Sequence, residues 1–162
     1  MENKQFSMEE IVPLILEVIE SGGEFRLSPR GTSMLPLLRE GRDSVVLVSP
    51  THPKKHDICL YRRENGTFVL HRLLKLTGNG EPIFCGDNQT ALERGVPREN
   101  ILARVCAIYR GEKRISVTAF RYRLYVALHC FMPWRYLRFL PRRVRGFLHR
   151  KRKKACNQKS TH

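Results

Sequence analysis

No aspartate or glutamate occurs after Glu112 in this chain of 162 residues. All 15 acids precede that point, where 15 lysines and arginines balance them, and the other 15 basic residues follow it. A chain that is basic throughout is excluded; a neutral body carries a cationic tail suited to an anionic partner. Long apolar runs are also missing. The longest, Leu124 to Met132, contains His129 and falls well short of the ~20 residues that span a bilayer. The chain does not open with a basic segment leading into an apolar one, so no secretory signal is read. The five cysteines (Cys59, Cys85, Cys106, Cys130 and Cys156) are odd in number and far apart, without a C-x-x-C pair. This spacing argues against a zinc knuckle and a disulfide framework, and it points to a reducing, cytoplasmic compartment. Neither a cofactor nor a metal is expected. Without Gly/Ser linkers or internal repeats, the length suits one domain with an appendage. The expected division is a body over 1–117, including a helix at 7–21, and a basic, aromatic-rich helical tail over 118–162.

Apolar residues form 41% of the sequence, enough for a core. Near the N-terminus, Ser7 with Glu10 reads as a capping box, and Phe6 with Ile11 as a hydrophobic staple. Ile11, Leu14, Ile15, Val18 and Ile19 recur at helical spacing, Gly22 and Gly23 stop the helix, and Pro13 should kink or shorten its start. From Glu24 onward the pattern becomes short β-type runs: 25–28, 44–48, 57–61, 67–76, 82–85, 102–109 and 115–117. Asn65-Gly66 and Asn79-Gly80 predict two hairpins. Closely spaced strands with no helical pattern between them imply a mainly β fold, an antiparallel sheet or partial barrel, flanked by the N-terminal helix and the C-terminal tail.

In the tail, Trp134, Leu137, Leu140, Val144 and Phe147 fall at helical spacing, with Arg135, Arg138, Arg142, Arg143 and Arg145 on the other faces. A cationic amphipathic helix of this kind suits an anionic membrane surface, with peripheral attachment; nucleic acid is the less favoured partner.

The chemistry concentrates in the body. Pro29 to Leu38 places Ser33 on a glycine-flanked bend before an apolar stretch. Gly41-Arg42-Asp43-Ser44-Val45, Asp57-Ile58-Cys59-Leu60-Tyr61, Val69-Leu70-His71-Arg72 and Phe84-Cys85-Gly86-Asp87-Asn88 follow in order. This series, from about Pro29 to Arg110, resembles the conserved boxes of the signal peptidase family of serine peptidases, in the branch that uses histidine as base. The G-T-S-M form of the first box is also similar to that of the self-cleaving repressors, which carry an N-terminal DNA-binding domain and use a lysine base.

The resemblance implies a signal-peptidase-like β fold and a serine endopeptidase acting on peptide or protein precursors. Ser33 matches the nucleophile and His71 the base. Imidazole titrates near ~6.5 and can accept a hydroxyl proton at neutral pH. Asp87 matches the acid of the G-D-N box and would hold the His71 ring in one tautomer; Glu93 stands at the offset of a second acid of the histidine branch. Asp43 and Asp57 read as turn braces. The sequence departs from the boxes at Gly31, where many relatives place an oxyanion-binding serine, at His56 in place of a glycine, and at Arg42, inserted between Gly41 and Asp43. The Ser33 backbone N–H is the expected oxyanion donor. No apolar anchor precedes the boxes, which argues against a bulk-secretion role; a processing enzyme specialised for small exported peptides is a further reading. The alternative is a catalytically inactive peptidase-like module that binds a membrane surface or nucleic acid through the tail.

Overall fold

A computed structural model describes residues 7–130. Phe6 and the tail residues Arg135, Arg138, Arg142, Arg143 and Arg145 lie outside the described residues. The chain divides into two compact units, Met1–Val126 and Ala127–His162. The first unit holds the sheet.

Helix α1 (Met8–Glu20) begins with the expected capping box: Glu10 N–H donates to the Ser7 hydroxyl, and Ser7 N–H to the Glu10 carboxylate. Two orphan donors of the first turn are thereby satisfied. Pro13 is carried inside the helix without shortening it. The buried seam runs through Val12, Ile15 and Ile19, whereas Leu14 is 52% exposed, so the inward face is rotated from the expected one. Gly22, at φ +80°, ends the helix with a bond from its N–H to the Ile19 carbonyl.

Seven strands follow: β1 (Phe25–Leu27), β2 (Asp43–Val48), β3 (Ile58–Arg62), β4 (Phe68–Leu76), β5 (Pro82–Cys85), β6 (Ile101–Arg110) and β7 (Lys113–Ser116). They form one antiparallel sheet in the order β1-β2-β6-β3-β4-β5, with β7 also on β6. Both expected hairpins are present. Gly66 and Gly80 take the positive φ angles of their turns, +84° and +79°. On one face of the sheet Cys59, Tyr61, Leu73, Phe84, Val96 and Ile101 pack as a buried cluster with Val69 beside it. A second helix, α2 (Phe120–Cys130), follows β7. Among the described residues no helix is long and apolar enough to cross a membrane.

Candidate active site

The Ser33 loop is held from both ends. Gly31 has φ +87°, a conformation that glycine adopts without steric cost, and its N–H donates to Glu40 at 2.8 Å. Beyond Ser33, buried Met34, Leu37 and Leu38 anchor the loop in the core. The half-buried serine lies between these anchors. Its carbonyl accepts a 2.7 Å hydrogen bond from Asn88 N–H, and the Thr32 carbonyl accepts one of 3.1 Å from Asn88 Nδ2. A cavity of about 40 Å³ adjoins Ser33, lined by Pro29, Gly31, Met34, Leu38 and Leu70 among others.

His71 is on β4, paired across to Cys59 of β3 and only 4% exposed. Its Nδ1 lies 3.2 Å from the Tyr61 hydroxyl and 3.7 Å from Glu93 Oε2. Tyr61 donates its proton to Glu93 at 2.8 Å, and Arg63 grips the same carboxylate with two bonds of 2.6 and 2.7 Å. These contacts assign the imidazole tautomer. A phenol has one proton, and the carboxylate takes it, so toward His71 the Tyr61 oxygen can only accept. Nδ1 therefore carries the hydrogen, and Nε2 keeps its lone pair. That is the form a general base requires.

The electrostatics support this assignment. Burial pushes the His71 imidazole below its ordinary value; the Glu93 charge opposes the shift and Arg63 reinforces it. The ring is thus neutral at neutral pH. For Glu93, burial is the largest influence and pushes the carboxyl up. The hydrogen bonds from Arg63 and Tyr61, with the charges of Arg63 and of His71 when protonated, outweigh it and hold the group below the usual range. The Tyr61 phenol is driven up by burial and then by Glu93, so it remains a protonated donor. Tyr61 stacks on Phe84 with ring centroids 4.3 Å apart, which fixes its hydroxyl in place.

Asp87 is engaged elsewhere. Successive strand residues face opposite sides of a sheet, so Arg72 points away from the Tyr61–Glu93 face that His71 addresses. Arg72 and Asp87 are both fully buried, and the guanidinium meets the carboxylate in a fork, Nε to Oδ1 at 2.8 Å and a terminal nitrogen to Oδ2 at 2.6 Å. The carboxylate beside the His71 ring is instead Glu93. Asp43 and Asp57 brace turns, as expected: Asp43 accepts from Arg39 N–H and Arg42, and Asp57 from Lys54 N–H.

The Ser33 loop meets β4 at Leu70, which lines the Ser33 cavity; as a strand neighbour of His71, Leu70 faces the other side of the sheet. Arg72 pairs with Cys85, the last residue of β5, and Gly86 follows it. Gly86 also presses on the Ser33 carbonyl; a Cβ there would lie 2.7 Å from the oxygen. No hydrogen bond joins the Ser33 hydroxyl to the His71 ring among the described residues.

Tyr61 and Arg63 were not singled out by the sequence, although Tyr61 closes the D-I-x-x-Y box. Among the described residues no cluster of His, Cys, Asp or Glu could hold a metal ion. No family model, no curated protein and no solved structure matches the chain.

Proposed function

We propose that this protein is a serine endopeptidase of the signal-peptidase type, acting on peptide or protein precursors with Ser33 as nucleophile and His71 as base. The observation that carries this reading is the His71 ring, buried and neutral, with Nδ1–H committed to the Tyr61–Glu93–Arg63 chain and Nε2 left as base, on the strand whose Leu70 lines the Ser33 cavity.

In the reaction, the Ser33 Oγ attacks the substrate carbonyl carbon while His71 Nε2 takes the hydroxyl proton. The Ser33 backbone N–H donates to the oxyanion. As the intermediate collapses, Nε2 returns the proton to the departing amine and the acyl group stays on Ser33. Water, deprotonated by the same nitrogen, then releases the acid. Glu93, acting through Tyr61, stabilises the imidazolium of each step and is a positioning residue. Asp87 keeps the Gly86–Asn88 turn in place. The substrate would lie as an added strand along a sheet edge. The small cavity beside Ser33 favours a short side chain next to the scissile bond.

The proposed setting is an anionic membrane surface, reached through the basic residues of the tail. Phe120 is 78% exposed and Leu124 48% exposed on α2, alongside exposed Arg121 and Arg123, a pairing of apolar and cationic groups that fits a headgroup region.

The test is an unbiased peptide mixture incubated with the wild-type protein, with new termini read by mass spectrometry. Cleavage that falls by about 10³-fold or more in Ser33→Ala and His71→Ala, with thermal transitions retained, supports the reading. Cleavage undiminished in Ser33→Ala, or none by the wild type, contradicts it. In the latter case, salt-sensitive nucleic-acid binding without liposome flotation would establish the inactive binding module.

A further inference from the structure

α2 is joined to the Ser33 loop by a short chain of polar contacts centred on a buried ion pair. Arg72 and Asp87 are both 0% exposed, and a buried ion pair is stable only when its remaining donors and acceptors are also satisfied. Two hydroxyls of α2 contribute to that. Tyr122 OH lies 3.2 Å from a terminal nitrogen of Arg72, which also donates to the His56 carbonyl at 2.8 Å. Tyr125 OH donates to Asp87 Oδ2 at 3.2 Å. The same helical face buries Tyr122 and Val126.

The other end of the chain reaches the peptide bond before Ser33. Asp87 is flanked by Gly86, packed on the Ser33 carbonyl, and Asn88, whose side chain grips the Thr32 carbonyl and whose N–H grips that of Ser33. The Thr32 carbonyl and the Ser33 N–H belong to one planar trans peptide and point in opposite directions. Fixing the carbonyl therefore fixes the aim of the N–H, which is the oxyanion donor of the proposed reaction.

We infer that α2 is a positioning element for this site: Tyr122 and Tyr125, through the Arg72–Asp87 pair and Asn88, hold the Thr32–Ser33 peptide in the orientation that aims the Ser33 N–H. The mechanical link rests on the contacts alone; its catalytic consequence rests on Ser33 being the nucleophile. A helix joined directly to the cationic tail thereby shares a mechanical connection with the nucleophile loop.

The test uses the full chain with Tyr122→Phe/Tyr125→Phe, and Tyr125→Phe alone should the double variant fail to fold. Amide hydrogen exchange is followed at Asn88 and over 31–38, with the β2 and β6 amides as internal reference. The expected result is exchange at least about tenfold faster at Asn88 and in the Ser33 loop, with the reference amides unchanged. Phosphonylation of Ser33 by a fluorophosphonate is measured in parallel. The limiting rate should fall about tenfold with the half-saturating probe concentration unchanged, and Asn88→Ala should reproduce that fall. Unchanged exchange at Asn88 overturns the inference whatever the phosphonylation rate. Faster exchange with a wild-type rate establishes the mechanical link and refutes its catalytic consequence. Absence of a Ser33 adduct on the wild-type protein would count against the nucleophile and leave the exchange result to decide the link.

Discussion

Replacing Tyr61 with phenylalanine isolates one hydroxyl in the proposed mechanism. The ring, its burial and its stacking on Phe84 are retained, while the oxygen between His71 Nδ1 and Glu93 is removed. Glu93 keeps both bonds from Arg63, so it is not left unpaired. His71 Nδ1 loses its acceptor, and the nearest carboxylate oxygen stands 3.7 Å away. Hydrogen bonds to charged groups contribute about 1.5–3 kcal/mol net, and an unsatisfied buried donor costs a similar amount. The folded state should lose about 1–3 kcal/mol, or roughly 2–12 °C in Tm for a chain of this size. The effect on rate has a separate origin. Without the phenolic oxygen, neither tautomer is favoured, and the imidazolium formed at the transition state loses its link to Glu93. A tenfold to hundredfold fall in the rate of Ser33 phosphonylation is expected, equivalent to about 1.4–2.7 kcal/mol. Stopped-time labelling with a fluorescent fluorophosphonate, run well below Tm, reads that rate without a known substrate. A Tyr61→Phe protein that reacts at the wild-type rate would refute the relay.

Other perturbations test neighbouring parts. Because burial depresses His71, its protonation should begin to slow the reaction only below the ordinary imidazole value of ~6.5; an inflection above that value would contradict the neutral buried base. The same depressed value makes His71 contribute stability above ~6.5 that is lost as pH falls through its folded-state value. Glu93→Gln removes a charge that favours the imidazolium, so the inflection should move further to acid; a shift to higher pH would reverse the assigned sign. Asp87→Asn leaves the buried Arg72 charge uncompensated and should cost about 3–5 kcal/mol in urea unfolding, whereas a loss below 1 kcal/mol would mean that the pair is not desolvated as described. Gly86→Ala drives a Cβ against the Ser33 carbonyl and should displace the loop. It should abolish phosphonylation with the sheet intact, and a fully reactive variant would contradict the close approach. His56, at φ +77°, occupies the backbone conformation glycine prefers, so His56→Gly should retain or raise Tm, and a marked fall would show that the side chain offsets the strain.

The strands were readable because each pairs a β-type run with a turn signal. The two Asn-Gly dipeptides fixed the β3–β4 and β4–β5 hairpins, and that register sets His71 opposite Cys59 and Arg72 opposite Cys85. The helical seam of α1 was only partly readable: Leu14 matches the apolar spacing as well as Val12 does, but Val12 is the one that is buried. In the site, Ser33 and His71 stood out by chemical type and box order. The partner of the ring did not. Asp87 and Glu93 were both candidates, and the choice depends on which face of β4 each carboxylate addresses. The adjacent pair His71-Arg72 contained that information, since neighbours on a strand point to opposite sides and a buried arginine needs a carboxylate of its own. Tyr122 and Tyr125 fall within the stretch assigned to the aromatic, cationic tail, where composition gave no sign of a polar partner; both hydroxyls contact the Arg72–Asp87 pair.

The central claim is that His71 activates Ser33. Its most direct test is intact-mass and peptide analysis of the protein after reaction with a fluorophosphonate at neutral pH. In that reaction the Ser33 oxygen displaces fluoride from phosphorus and its proton passes to the imidazole. The account predicts a single adduct, on Ser33, lost in His71→Ala while the fold is retained. An adduct that forms equally fast without His71, or no adduct on Ser33 at all, would contradict it.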